Sequence, residues 1–381
     1  MLRNPSWKSW NKNSAAILGR VTIPASTIPT TGTKKRVPLW DNARFLAVTL
    51  VVIGHSIQRM SGASDNAYII YLLIYSFHMP AFAVISGYFS KPGPPDGTQM
   101  KRVLTDILLP YFIMEAIWTV VQFLATGSQD FNPTKASWTL WFLLALAIFR
   151  LVLPYLALIR LPLAWAVVFS IAIGYWSNVD NTFSLSRAFG ILPFFVLGWQ
   201  LKRWRLIDRW NDAPARASLW MRGGAVAVLA VWITVIVVNI EQFRMISLQH
   251  WFFYDASYSD MGAAVWWAGA ARLGFILLAT ILIAAFIVLV PRTNTPLTAW
   301  GQATMYIYLL HTFVLYPIRE SNLLTGENPP IWLLPLMILM GIGIALALGT
   351  PIVRRVFRPL VEPQASWLFI DRDGLKAPRQ P

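Results

Sequence analysis

The chain contains no cysteine. That absence excludes a disulfide scaffold, a thiolate-ligated zinc or iron–sulfur centre, and a thiol nucleophile. Charge is scarce as well: Asp, Glu, Lys and Arg make up 13% of the 381 residues, about half the share of an ordinary soluble domain. Such a chain cannot cover a water-soluble globule with ionic surface. Acidic residues are the rarer sign, 17 against 32 Lys and Arg, for a formal charge of +15. An excess of that size can mark a nucleic-acid binder, but the basic residues here follow the loops of a membrane protein, which excludes a nucleic-acid partner. Internal repeats are absent, and with them the usual sequence sign of an inverted-repeat transporter. Residues 1–38 hold scattered Lys, Arg, Ser and Pro with no apolar run, so no cleavable signal peptide is expected.

What is abundant is apolar: 56% of the residues are hydrophobic and 19 are Trp. A lipid-spanning helix needs about 20 mostly apolar residues. Ten stretches qualify: 39–58, 68–90, 103–126, 137–159, 161–176, 188–202, 223–240, 263–290, 301–319 and 331–350. The fold expected is all-α, a polytopic integral membrane helix bundle of about ten transmembrane helices. Pro80, Gly87, Pro110, Pro154, Pro193 and Gly198 fall inside these stretches, which bundled helices tolerate because neighbours satisfy the freed backbone groups. With the N-terminus in the cytoplasm and ten alternating spans, 25 Lys and Arg collect on the inside. The outside loops keep Arg59, Lys135, Arg187, Arg244 and Arg319. That asymmetry obeys the positive-inside rule and puts both termini in the cytoplasm. A multi-pass protein of the cell membrane is expected, with a flexible basic tail over 1–38, a membrane domain over 39–350 and a basic C-terminal tail over 351–381. Both tails are expected to touch anionic lipid.

Ionisable residues inside a bilayer are expensive and are functional candidates by default. The first span carries Asp41, Arg44 and His55. Eleven residues separate Arg44 from His55, which is three turns plus about 20°, so both lie on one helix face at heights about 16 Å apart. Asp41, three residues before Arg44, sits beside it and can pair with it. The second span carries His78 just before Pro80, where a proline-induced break is expected, and then Ser86. The ninth carries His311. Three of the four histidines therefore fall at mid-membrane on separate helices, while His250 lies in an outside loop. Neutral imidazole is the usual proton acceptor at neutral pH. Three imidazoles could instead ligate a metal or serve only packing; no metal is expected, because Glu115 is the one carboxylate near that depth. Glu115 and Arg272, the remaining intramembrane charges, could pair with each other or line a polar cavity. Lys91, Lys101 and Arg102 enter the third span from the cytoplasm, placed for phosphates or for lipid head groups.

The Arg44-x10-His55 spacing resembles the first-span signature of the membrane acyltransferase-3 superfamily. Tyr75-Ser-Phe-His-Met-Pro80, Ile85-Ser-Gly-Tyr-Phe-Ser90-Lys91 and Leu192-Pro-Phe-Phe-Val-Leu-Gly198 are similar to its fucose 4-O-acetylase-like branch, as is Thr304-Met-Tyr-Ile-Tyr-Leu-Leu-His311. The ordered set covers about 36–350. The resemblance implies an integral enzyme that takes an acyl group, usually acetyl, from acyl-CoA at the cytoplasmic side and places it on a hydroxyl of an envelope glycan or glycolipid. It makes His55 the catalytic base and Arg44 the essential arginine, with His78 a further motif residue and Asp41 orienting Arg44. Lys91, Lys101 and Arg102 would meet the CoA phosphates, although the paired-arginine form of some members is not clear at Lys101-Arg102. His311, Glu115, Arg272 and Ser86 are candidates for the acceptor. The chemistry suits these residues: acyl transfer needs a base for the hydroxyl and a donor for the oxyanion. The rival reading is a transporter of a glycan, lipid or small solute, which would consume no acyl-CoA.

Overall fold

The computed structural model describes residues 37–93, 96–127, 131–321, 324, 329–365 and 368–369. The expected N-terminal tail, apart from its last two residues, lies outside the described residues, as does the chain from 370 on. Among the described residues the chain is helical, with no strand.

Helix α1 spans Pro38–Ile57 and runs into a 3-10 turn, Gln58–Gly62. Then come α2 (Asp65–Tyr75), α3 (His78–Phe89), α4 (Gly97–Val103), one π turn at Leu104–Leu108, and α5 (Leu109–Thr126). Two shorter apolar helices follow, α6 (Trp141–Leu156) and α7 (Pro162–Ile173), then α8 (Leu185–Arg203) and α9 (Leu206–Asn211). The second half holds α10 (Ala215–Val238), α11 (Ile240–Met245), α12 (Gln249–Phe253), α13 (Ala268–Leu289), α14 (Thr304–Glu320), α15 (Leu333–Leu348) and α16 (Pro351–Val361). Local chemistry sets several ends. Ser64 caps α2 by accepting from the Ala67 N–H at 3.3 Å, Asp96 caps α4 through the Gln99 N–H at 2.6 Å, and Gly127 closes α5 at φ +76°.

Among the described residues five helical units are long and apolar enough to cross a bilayer alone: Asp65–Phe89, Gly97–Thr126, Thr182–Arg203, Ala215–Val238 and Ala268–Leu289. Together α15 and α16 make a sixth, bent by 75° at their junction. Each of the ten expected segments coincides with a helix, but some are short: α7 has 12 residues, α6 and α15 have 16 each. The break in the second span differs from the expectation. It falls before His78, at Ser76 and Phe77, so Pro80 stands in the first turn of α3 rather than at a kink after His78. A proline there removes an N–H that has no intrahelical acceptor anyway.

Two contacts position the rest. Asn42 on α1 is fully buried and satisfied: its amide donates to the Pro291 and Thr293 carbonyls at 2.9 and 3.0 Å, and its oxygen accepts from Thr295 and Thr298 at 3.0 and 2.7 Å. At the far end of α1 the buried Ser56 hydroxyl reaches the Met337 carbonyl of α15 at 3.1 Å. The second contact is between α3 and α8, which touch backbone to backbone. A Cβ on Gly87 would collide with the Phe195 carbonyl, and one on Gly198 with that of Val84. Small residues allow this approach where lipid supplies no hydrophobic drive between helices. Gly198→Val should therefore force the two helices apart and lower stability by about 3 kcal/mol, read as a fall in the melting temperature of the full chain in detergent; an unchanged melting temperature would refute the close contact.

Candidate active site

The break before α3 and the end of α1 bring three histidines to one place. His55, in the last turn of α1, lies 5.5 Å ring to ring from His311 of α14. Tyr75, at the end of α2, stands between His55 and His78: its hydroxyl is 3.4 Å from His55 Nδ1 and its ring centre 4.7 Å from that of His78. His78 donates from Nδ1 to the Ile74 carbonyl at 2.8 Å, and His311 donates from Nδ1 to the Ile307 carbonyl at 3.0 Å. Those bonds fix the tautomer, leaving each Nε2 as the ring's proton acceptor. The His311 Nε2 is buried with no hydrogen-bond partner. Among the described residues no three His, Asp or Glu side chains converge as a metal-ligand set.

A chamber of about 620 Å³ opens over these rings at the end of the bundle where α1 terminates. His55, Tyr75 and His78 form part of its floor, and Trp138, Trp141 and Phe253 part of its wall. Lys135, Asp180, Arg187, Asp255 and Arg319 stand around its mouth. Arg187 and Asp255 are ion-paired at 2.7 Å, and Arg187 lies over the Trp141 ring at 4.8 Å. Hydrogen bonds from the Thr182 hydroxyl and N–H hold the Asp180 carboxyl below its usual range, so it remains a carboxylate at the mouth at neutral pH.

At the opposite end a smaller cavity of about 290 Å³ is basic. Arg44, Lys91, Arg102 and Arg150 all line it, with Ser86 and Phe89. Arg44 pairs with the buried Asp41 at 3.0 Å and stacks over Phe89 at 4.5 Å. A third cavity, about 300 Å³, continues inward from there: it shares Arg44, Ile85, Ser86 and Arg150 with the basic one and Tyr308 with the histidine chamber. The Tyr308 hydroxyl donates to the Thr139 carbonyl, so this side chain is held in the wall common to the third cavity and the histidine chamber.

The candidates read from sequence divide accordingly. His55 and His78 meet at the chamber, with His311 directly behind His55. Arg44, with Asp41, faces the other end with Lys91, Arg102 and Ser86, so Ser86 belongs with the basic cavity. Lys101 instead lies over the Phe369 ring at 4.5 Å. Glu115 and Arg272 are held separately. Glu115, buried, accepts from the Ser137 N–H and hydroxyl at 2.9 and 2.6 Å, and Arg272, buried, lies over the rings of Tyr254 and Tyr258 at 4.8 and 5.4 Å. From the outside loop that holds His250, Phe252, Phe253 and Asp255 line the chamber but His250 itself does not. Sequence reasoning did not single out Arg150, Tyr308 or Arg187 as site residues. Arg150 carried a signal, a lone cation inside the apolar stretch 137–159, and Arg187 one at the border of 188–202, while Tyr308 stood within the Thr304–His311 motif.

The fold is that of a multi-pass membrane protein built around an internal polar site. The acyltransferase-3 model, described as an acyltransferase domain, matches residues 38–350; the chain belongs to this family. It is similar to nodulation protein NolL of Mesorhizobium japonicum, 27% identical over 205 residues, which is 49% of this chain and 51% of the relative. The match thus spans about half the length of that curated relative. No solved structure matches.

Glu115 fastens the 131–140 loop, with Tyr111 donating to the Pro133 carbonyl at 2.8 Å, and that loop walls the chamber. Glu115→Ala removes the partner of the half-buried Ser137 N–H, a loss of about 1 kcal/mol. Faster proteolytic cleavage within 131–140 and a lower melting temperature are expected; wild-type cleavage would show that the carboxylate does not hold the loop.

Proposed function

We propose that the protein is an O-acetyltransferase of the cell membrane that moves an acetyl group from acetyl-CoA to a hydroxyl of an envelope glycan or glycolipid. The observation that carries this reading is the pair of cavities of unlike chemistry at opposite ends of one bundle, joined by a third. Four cations around the basic cavity suit the phosphates of CoA. The cavity beyond it, walled in part by Phe82, Ile85, Phe142 and Leu146, suits the thioester arm. In this reading the basic end faces the cytoplasm, where acetyl-CoA is available, and both tails lie on that side.

The acceptor hydroxyl enters the histidine chamber. In this reading His55 carries its proton on Nδ1, 3.4 Å from the Tyr75 hydroxyl, and takes the acceptor's proton on Nε2. The hydroxyl oxygen then attacks the thioester carbonyl. The resulting oxyanion collapses, the carbon–sulfur bond breaks, and the proton passes from His55 to the departing thiolate. A site closed to bulk water strengthens each of these interactions and suppresses hydrolysis of the thioester. His78 and His311, flanking His55, help to shape the site, and Arg44 with Asp41 anchors the donor. The motifs shared with the fucose 4-O-acetylase-like branch favour acetyl as the group transferred.

Purified protein in lipid, given radiolabelled acetyl-CoA and an envelope glycan fraction, should label the glycan. His55→Ala should lower the rate about 100-fold or more while the protein stays folded, the range expected for loss of a general base. Arg102→Ala with Arg150→Ala should raise the half-saturating acetyl-CoA concentration about tenfold. Glycan movement across the bilayer without label from any acyl-CoA would return the case to a transporter.

The absence of cysteine makes the orientation directly testable. In intact cells an impermeant maleimide should label Lys135→Cys and leave Arg209→Cys unlabelled. The reverse pattern would invert the topology and the assignment of donor and acceptor ends.

A further inference from the structure

Helix α15 runs from one end of the bundle to the other. Near its start the Met337 carbonyl takes the Ser56 hydroxyl of α1 at 3.1 Å. After its last turn Gly349 packs on the Trp300 ring, and Gly301 beside that ring packs on the Asp41 backbone, so α15 ends beside the basic cavity. There α16 turns away from it by 75°. With α15 aligned across the bilayer, that angle lays α16 nearly flat along the membrane surface.

The sequence of α16, Pro351-Ile-Val-Arg-Arg-Val-Phe-Arg-Pro-Leu-Val361, makes three faces at about 100° per residue. Val353, Phe357, Leu360 and Val361 are half-buried or buried, on the side where α16 meets α14 and α5. Ile352 and Val356, one turn apart, are 74% and 63% exposed. Arg354, Arg355 and Arg358 fill the remaining arc, about 100° wide. Arg358 pairs with Glu362 at 3.5 Å. Among the described residues neither Arg354 nor Arg355 has an ion-pair partner.

Three guanidinium groups are too costly to lie in hydrocarbon, and two branched apolar side chains gain nothing from facing water. A helix flat at the head-group boundary satisfies both, with its apolar edge among the acyl chains and its cations level with the phosphates. The planar fork of arginine matches a phosphate. The opposite charge of anionic lipid completes the fit.

We propose that α16 is a lipid-docking helix seated on anionic phospholipid head groups, with Arg354 and Arg355 on lipid phosphates and Ile352 and Val356 among the upper acyl carbons. The basic C-terminal stretch read from the sequence thereby narrows to one helix, two arginines and an apolar edge. The proposal needs only the membrane bundle and is independent of the acyl-transfer reaction.

Because the chain has no cysteine, a bimane fluorophore can be placed on Val356→Cys of the full chain in bilayers. Phosphatidylglycerol carrying a nitroxide near the head-group end of its acyl chain should quench it at least twofold more than the same fraction of equally labelled phosphatidylcholine. Arg354→Gln with Arg355→Gln should erase that difference. Arg355→Gln alone, at an exposed position that folding does not depend on, should about halve it. Arg209→Gln with Arg216→Gln, which removes the same charge from α9 and α10, should leave it unchanged. Equal quenching by the two lipids overturns the anionic seat. Absence of quenching by either puts α16 in water or against a protein and overturns the docking altogether. A difference that survives in Arg354→Gln with Arg355→Gln, or that the α9 and α10 control erases equally, overturns the assignment to these two arginines.

Discussion

The structure depends on how α1 is fixed. This helix carries Arg44 toward one end of the bundle and His55 toward the other, so any slide or rotation would displace both cavities together. Asn42 prevents it at one end with four hydrogen bonds to the 291–298 segment, and Ser56 ties the other to the Met337 carbonyl. Within a bilayer these bonds cannot be traded for bonds to water, and a displaced helix would leave the Asn42 amide unpaired.

The second constraint is the use made of broken helix. Where α2 gives way to α3 the Ile74 carbonyl accepts the Phe77 N–H at 3.3 Å and takes the His78 ring N–H as well, at 2.8 Å. The break turns Tyr75 toward His55 and starts α3 at a depth where its far end, with Ser86, reaches the basic cavity. Irregular backbone at membrane depth is tolerated where it lines a cavity, and this one lines the histidine chamber. The glycine contacts of α3 with α8 then hold the segment against the rest of the bundle, so the break positions side chains without becoming a hinge.

The chamber's loops are fastened from below. Glu115, Tyr111 and Tyr308 each reach up from a helix to the 131–140 segment, and Arg272 stacks beneath Tyr254 and Tyr258. Two of the intramembrane charges flagged by the sequence therefore support the walls of a site rather than face its contents. A buried carboxylate and a buried guanidinium are both expensive, and each is compensated locally, by hydrogen bonds in one case and by aromatic faces in the other.

The sequence by itself determined the class of fold, because runs of about 20 apolar residues have few alternatives to a spanning helix. It also determined that His55, His78 and His311 share a depth, because position along a spanning helix is height in the bilayer. Height says nothing about lateral neighbours. Which helix packs on which is set by the shape of side chains meeting across interfaces, so only the tertiary structure decided that Tyr75 stands between His55 and His78. It likewise decided that Arg150 joins Arg44, Lys91 and Arg102 while Lys101 turns away. Arg44 and His55 show the division within one helix: their common face was legible from the spacing, but that they open into different cavities follows from what the neighbouring helices fill between them.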